Sequence, residues 1–233
     1  MEPLTSYDKL MQLVGAHAVQ IFGEAGTGKS RLVAAIALEA QLAGRKVLYL
    51  DTEGSLPEDI VADIENYEYI GPDLDGLIER VRLAKQQREQ FDLLVIDSIG
   101  FPVLTSYASL PLDKRLGAIL SLTNVFADAV RFARASKHEQ LPAPDKRNLA
   151  IVTNQPVSEV VTFTKGIELD ERDPFGGKLS FIPKLTLRTE VVERSQKRSV
   201  FNLVVHKARN IARGVTLAEY TIDNEGVSIK WLK

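Results

Sequence analysis

The stretch Gly23-Glu24-Ala25-Gly26-Thr27-Gly28-Lys29-Ser30 follows an apolar run, His17-Ala18-Val19-Gln20-Ile21-Phe22, and opens into Arg31-Leu32-Val33-Ala34-Ala35-Ile36-Ala37-Leu38. It therefore sits where a strand turns into a helix, the context a phosphate-binding loop requires. The glycines let the backbone curl so that successive N–H groups point inward at an anion, and a helix starting near Lys29 adds the positive end of its dipole. Lys29 is expected to reach the β and γ phosphates of a nucleotide, and the Ser30 hydroxyl to ligate Mg²⁺. Residues Gly23, Glu24, Ala25, Gly26, Thr27, Gly28, Lys29, Ser30 and Arg31 are the candidate nucleotide-binding set. At average composition the four fixed positions of this pattern recur by chance in about one chain of this length in a hundred. The alternative is a Gly-rich turn with no ligand.

The 233 residues suffice for one large domain with a full core, and the expectation is a single domain over 1–233. Cysteine is absent, which removes disulfides, Cys-rich zinc sites and thiol nucleophiles and fits a reducing cytosol. The first residues, Met1-Glu2-Pro3-Leu4-Thr5, lack a basic region followed by an apolar stretch, and no run approaches membrane-spanning length. A cytoplasmic protein without a membrane partner is expected. A net charge of -2 gives no global attraction to nucleic acid, so any DNA contact must come from local patches. The three histidines, His17, His138 and His206, have no ligand spacing.

Residues 4 to 14 read as a short helix leading into the first strand, and the helix after the phosphate loop runs to about Ala43 and stops at Gly44. Val47-Leu48-Tyr49-Leu50 is the next strand and ends in Asp51-Thr52-Glu53-Gly54. A carboxylate at the carboxyl end of a strand beside the phosphate loop can take a proton from water attacking the γ phosphate, and Glu53 is the candidate base. The competing reading is that Asp51 or Glu53 caps a helix near Leu56 to Ile64. Residues 74 to 89 form an amphipathic pattern with a solvated charged face. Phe91-Asp92-Leu93-Leu94-Val95-Ile96-Asp97-Ser98 reads as a buried parallel strand ending in an acid, and Asp97 is the candidate Mg²⁺ ligand. The helix from Leu112 to Ala135 packs a broad apolar face on the sheet, and 136 to 148 is a polar loop. From Leu179 the pattern turns β, with strands at 184 to 188, 200 to 205, 217 to 222 and 227 to 231 and turns at 195–198 and 223–226.

Thr52-Glu53-Gly54, Asp97-Ser98, Val152-Thr153-Asn154-Gln155 and Gly176-Gly177-Lys178 occur in the order and spacing of RecA-type recombinases. From about residue 15 onward the chain resembles archaeal RadA and RadB proteins and their paralogues. The resemblance implies an α/β fold: a RecA-like P-loop ATPase core, a mostly parallel twisted sheet flanked by helices, with an antiparallel β extension at the C-terminus. It implies ATP and Mg²⁺ as cofactors, nucleotide bound at subunit interfaces, and two loops that touch single-stranded DNA. By similarity Gln155 would sense the γ phosphate and join Glu53 and Lys29 as a catalytic residue; an Asn-Gln pair satisfying nearby backbone is the plainer alternative.

The first DNA loop would fall near Phe101 to Leu112, where Tyr107 is an aromatic candidate without a cation before Lys114. The second would span about 156 to 178, with Phe163, Lys165, Phe175 and Lys178 as candidates. Its charged residues are five acids against three bases, a balance that repels a phosphate backbone. Positive charge concentrates instead in the C-terminal strands. Within them Lys207-Ala208-Arg209-Asn210-Ile211-Ala212 resembles the RecA-type segment that reaches a neighbour's ATP, so Lys207 and Arg209 are candidate trans-acting cations. Two residues apart on a strand, they would share a face; the alternative is a pair of exposed cations protecting an edge strand.

The favoured function is a DNA-dependent ATPase acting in homologous recombination and DNA repair as a RadA/RadB-like paralogue. The family's recombinases carry an N-terminal DNA-binding domain and a linker, for which the residues before Gly23 are too few. An accessory protein that self-associates or joins a main recombinase across the ATP site is expected. The competing class is a KaiC-like regulatory ATPase or an ATP-gated protein-interaction subunit without DNA activity, and the single Glu53 in place of two consecutive acids leans away from it.

Overall fold

The structure is a computed structural model, and it describes residues 4–15, 17–107, 111–134, 148–155 and 182–232. Four strands carry the interior: β1 (Ala18–Phe22), β2 (Val47–Asp51), β4 (Leu93–Asp97) and β5 (Leu149–Asn154), buried at every residue. Continuous apolar runs of this kind suit strands covered by helices on both faces. Among the described residues they belong to one sheet of order β3-β2-β4-β5-β1-β6-β7-β8-β9. Pairing is parallel from β3 (Tyr67–Tyr69) through β6 (Leu185–Arg194). It becomes antiparallel through β7 (Arg198–Ala208), β8 (Thr216–Asp223) and β9 (Gly226–Trp231). The mixed α/β architecture expected from sequence is therefore the one observed.

The period-2 alternation of the strands divides the core in two. Val19, Ile21, Tyr49, Val95 and Ile151 face α1 (Ser6–Val14) and α2 (Lys29–Leu42). Leu48, Leu50, Leu94, Ile96 and Val152 face α4 (Leu74–Gln86) and α6 (Leu112–Ala133). Thr5 and Asp8 close a capping box that starts α1. The helix α2 buries Leu32, Val33, Ala34, Ile36, Ala37 and Ala40, which accounts for its apolar character nearly all round.

Two elements differ from the sequence expectation. The segment read as the first DNA loop begins with a helix, α5 (Phe101–Tyr107). Pro102 sits in its first turn, where no backbone donor is lost, and the amides of Val103 and Leu104 bond the Gly100 carbonyl at 3.1 and 3.0 Å. Burial of Ile99 and Val103 holds the turn on the sheet. The side chain of Tyr107 lies outside the described residues, as do Phe163, Lys165, Phe175 and Lys178 and most of the 136–148 loop. The short edge strand β3 went unanticipated, and α3 (Glu58–Asp63) occupies the Leu56-to-Ile64 helix position.

Candidate nucleotide site

The carboxyl ends of β1, β2, β4 and β5 lie side by side, which brings the phosphate loop, Glu53, Asp97 and Gln155 to one edge of the sheet. Gly26 and Gly28 have φ of 73° and 72°, the left-handed region that glycine enters without strain. Gly28 is the N-cap of α2 and supplies no side-chain cap to the first turn. Lys29 is 7% exposed, and its Nζ donates to the carbonyls of Gly23 and Glu24, each at 2.8 Å. Burial lowers its pKa, opposed by Glu53, Asp97 and Glu24. The ammonium is thus folded onto its own loop, held by neutral carbonyls, and ready to be claimed by a stronger acceptor such as a phosphate.

Two aspartates stand opposite each other across β2 and β4, Asp51 beside Asp97. Asp97 is buried; Tyr49 Oη donates to its Oδ2 at 2.8 Å and Thr153 Oγ1 to its Oδ1 at 2.5 Å. Burial pushes the Asp97 carboxyl up to about 6, with the Thr153, Tyr49 and Ser30 hydroxyls pulling the other way and Glu53 adding to the rise. A buried carboxylate next to a serine hydroxyl is a hard-oxygen donor pair that fits Mg²⁺ carrying phosphate and water on its other positions.

Asp51 has a different fate. Its Oδ1 accepts from the amides of Glu53 and Gly54 at 2.8 Å each, and its Oδ2 from Tyr67 Oη at 2.6 Å. The Tyr49 and Tyr67 rings stack with centroids 5.8 Å apart, tying the two aspartates into one framework. Asp51 therefore folds the Asp-Thr-Glu-Gly turn and releases Glu53 toward the site. The competing assignment of Asp51 or Glu53 as a helix cap does not hold, because α3 starts after Pro57 with no side-chain cap. Glu53 Oε1 meets Gln155 Nε2 at 3.4 Å, a long contact that brings the two sequence-selected residues together across 102 positions. Ser55 Oγ reaches Ser30 Oγ at 3.3 Å.

Lys207 and Arg209 do not join this cluster. β7 runs antiparallel to β6 and ends at Ala208 beside Leu185, so both cations lie at the opposite edge of the sheet from the phosphate loop. Lys207 is half-buried on the strand, whereas Arg209 is exposed beyond its end, so the two do not share a strand face as expected. The edge-strand alternative also fails, since β7 lies between β6 and β8. Burial depresses His17 to about 4, and the charges of Lys184, Arg134 and Arg209 add to the fall, which places Arg209 in a group with Arg134 and Lys184. The Lys184 ammonium is itself lowered by burial and by Arg134 and Arg209.

The sequence marks neither Tyr49 nor Tyr67 as a site residue, and Thr153 only as part of the Val152–Gln155 motif without a role. The signal was present for Tyr49, which precedes Asp51 by two on one strand and so must share its face. Tyr67 and Thr153 become visible only once the strand order is known.

No family model matches the chain. It is 25% identical to the DNA repair and recombination protein RadB of Thermoplasma acidophilum, over 93% of this chain and 87% of that protein. Identity is 28% with the protein of the same name from Methanococcoides burtonii, over 96% of each. With the DNA repair and recombination protein RadA of Methanoculleus marisnigri it is 27%, over 69% of this chain but only 54% of RadA. A crystal structure of a RadB recombinase superposes with a TM-score of 0.61 at 21% identity, covering 95% of both chains, and shows the same fold. Strand order, phosphate loop and near-full-length similarity agree in likening the chain to the RadB proteins of the RecA/RadA recombinases.

Proposed function

We propose that the chain binds Mg-ATP at the carboxyl edge of its parallel strands, hydrolyses it, and acts on DNA in recombination and repair as a RadB-like paralogue. The observation that carries this reading is Asp97: a buried carboxylate fixed by Tyr49 and Thr153, hydrogen-bonded by Ser30, and close enough to Lys29 to act on its charge. Lys29 leaves the Gly23 and Glu24 carbonyls for the β and γ phosphates. Bound Mg²⁺ supplies neutralisation of charge on the phosphate oxygens, and Ser30 and Asp97 are the residues that would hold it. Glu53 takes the proton of the attacking water, and Gln155, in contact with it, orients that water or the γ phosphate. Both act at the mouth of a site whose walls are the buried ends of β2, β4 and β5.

Lys207 and Arg209 cannot serve their own site from the opposite edge of the sheet. We assign them to the ATP of a neighbouring copy or of a main recombinase, with Arg134 and Lys184 adding to the same positive group. No described helix is long and apolar enough to cross a membrane, and a cytoplasmic location suits the proposed work on DNA. The five acids in 156–178 favour the protein-interaction alternative over direct DNA contact, and one experiment separates them. ATP hydrolysis is measured with and without single-stranded DNA between about 50 and 200 mM salt. The DNA reading predicts stimulation that fades as salt rises. Hydrolysis indifferent to DNA at every salt concentration would leave an ATP-gated protein-interaction subunit.

A further inference from the structure

The phosphate loop does not stand alone. Its outer side rests on the antiparallel strands β6 and β8, far away in sequence. Thr189 of β6, 5% exposed, places its Oγ1 2.7 Å from Thr27 Oγ1, which also donates to the Glu24 carbonyl at 2.8 Å. Tyr220 of β8 is fully buried and donates from its hydroxyl to the Thr27 carbonyl at 2.7 Å. Its ring stacks on Phe201 at 5.0 Å, which fixes the direction of the hydroxyl. At the hairpin end of β6, Arg194 Nη2 donates to the Gly26 carbonyl at 2.7 Å. Gly23 and Gly28 fit closely against these side chains. A Cβ on Gly23 would lie 1.9 Å from Thr189 Oγ1, and one on Gly28 would lie 2.4 Å from Ile222 Cδ1.

The consequence follows from the planarity of the peptide. In a trans peptide the C=O and the N–H point in opposite directions. Tyr220 holds the Thr27 carbonyl outward, so the Gly28 N–H of the same peptide is aimed inward, into the loop. That N–H is one of the first donors of α2, without an intrahelical partner, and belongs to the set that would meet a phosphate. We propose that Thr189 and Tyr220 are positioning residues for nucleotide binding, holding the Thr27–Gly28 peptide with its N–H turned toward the phosphate site. The proposal rests on the Mg-ATP reading above and deepens it: the C-terminal sheet sets the donor geometry of the loop before ATP arrives.

The test is Mg-ATP affinity by calorimetry, with KM, kcat and nucleotide-free melting temperature, for Tyr220→Phe, Thr189→Val and Thr189→Ser. Tyr220→Phe removes one oxygen and leaves the ring stacked, and Thr189→Val keeps the shape of the side chain. Each should raise Kd and KM about tenfold with kcat within about twofold, because a donor to a charged oxygen is misaimed while the reacting groups are untouched. The melting temperature should move by less than about 3 °C, and Thr189→Ser should bind like the wild type. Wild-type affinity in both Tyr220→Phe and Thr189→Val overturns the proposal. So does a loss in Thr189→Ser equal to that in Thr189→Val, which would mark a packing effect rather than the hydroxyl. If Thr189→Val does not fold, Tyr220→Phe decides alone. A wild-type protein that binds no Mg-ATP is a separate result, and overturns the nucleotide reading on which the proposal stands.

Discussion

Asp97→Asn is expected to make the nucleotide-free protein more stable at neutral pH while removing Mg²⁺-dependent hydrolysis. Asp97 is raised from 3.8 to about 6 by burial, so between those values the folded protein holds a proton that the unfolded chain has released. Stability therefore falls as pH rises through that window, and above it the cost of a buried charge is present in full. A shift of about two units corresponds to at most about 3 kcal/mol. Asparagine removes the charge, and the Tyr49 and Thr153 hydroxyls, which donate to Asp97, can accept from its amide instead. The melting curve of the variant should lie above the wild type at pH 7 to 8 and converge with it toward pH 4. Hydrolysis should fall about a thousandfold, since Lewis-acid stabilisation of phosphoryl transfer amounts to several kcal/mol. A variant less stable than wild type at pH 7, or one that keeps its hydrolysis, would contradict this role for Asp97.

Glu53→Gln should separate binding from chemistry. The loss of a positioned general base lowers kcat by about 10²- to 10⁴-fold. Mg-ATP affinity should stay within about threefold of wild type, because glutamine keeps the volume of the side chain and can still meet Gln155. The fold should be unaffected, since the turn after β2 is held by Asp51 and not by Glu53. Single-turnover hydrolysis and equilibrium binding on one preparation check both halves. Unchanged single-turnover hydrolysis would remove Glu53 from the base role and move attention to Gln155.

What could be read from the chain beforehand was what the chain states locally. The phosphate loop, the apolar strands ending in Asp51 and Asp97, and the antiparallel C-terminal strands are each written within a few consecutive residues. Thr189 and Tyr220 are silent because their partner is remote: Thr27 meets Thr189 across 162 positions and Tyr220 across 193. No periodicity marks such a contact, and a threonine in a strand carries no sign of which hydroxyl it will face. The helix α5 was hidden by Gly100 and Pro102, which read as loop residues until Ile99 and Val103 are seen to be buried. Arg209 was misplaced for the opposite reason. Lys207 and Arg209 share a face only on a strand that continues past Ala208, and pairing with β6 stops there.

The central claim, that the carboxyl edge of the parallel strands is a Mg-ATP site organised by Lys29, is tested most directly by calorimetric titration of the wild type and of Lys29→Ala with ATP, with and without Mg²⁺. The account predicts one nucleotide per chain, binding that strengthens with Mg²⁺, and a loss of about a hundredfold or more in Lys29→Ala, the scale of a lost ammonium–phosphate contact. Absence of binding in the wild type, or equal affinity in Lys29→Ala, would contradict it.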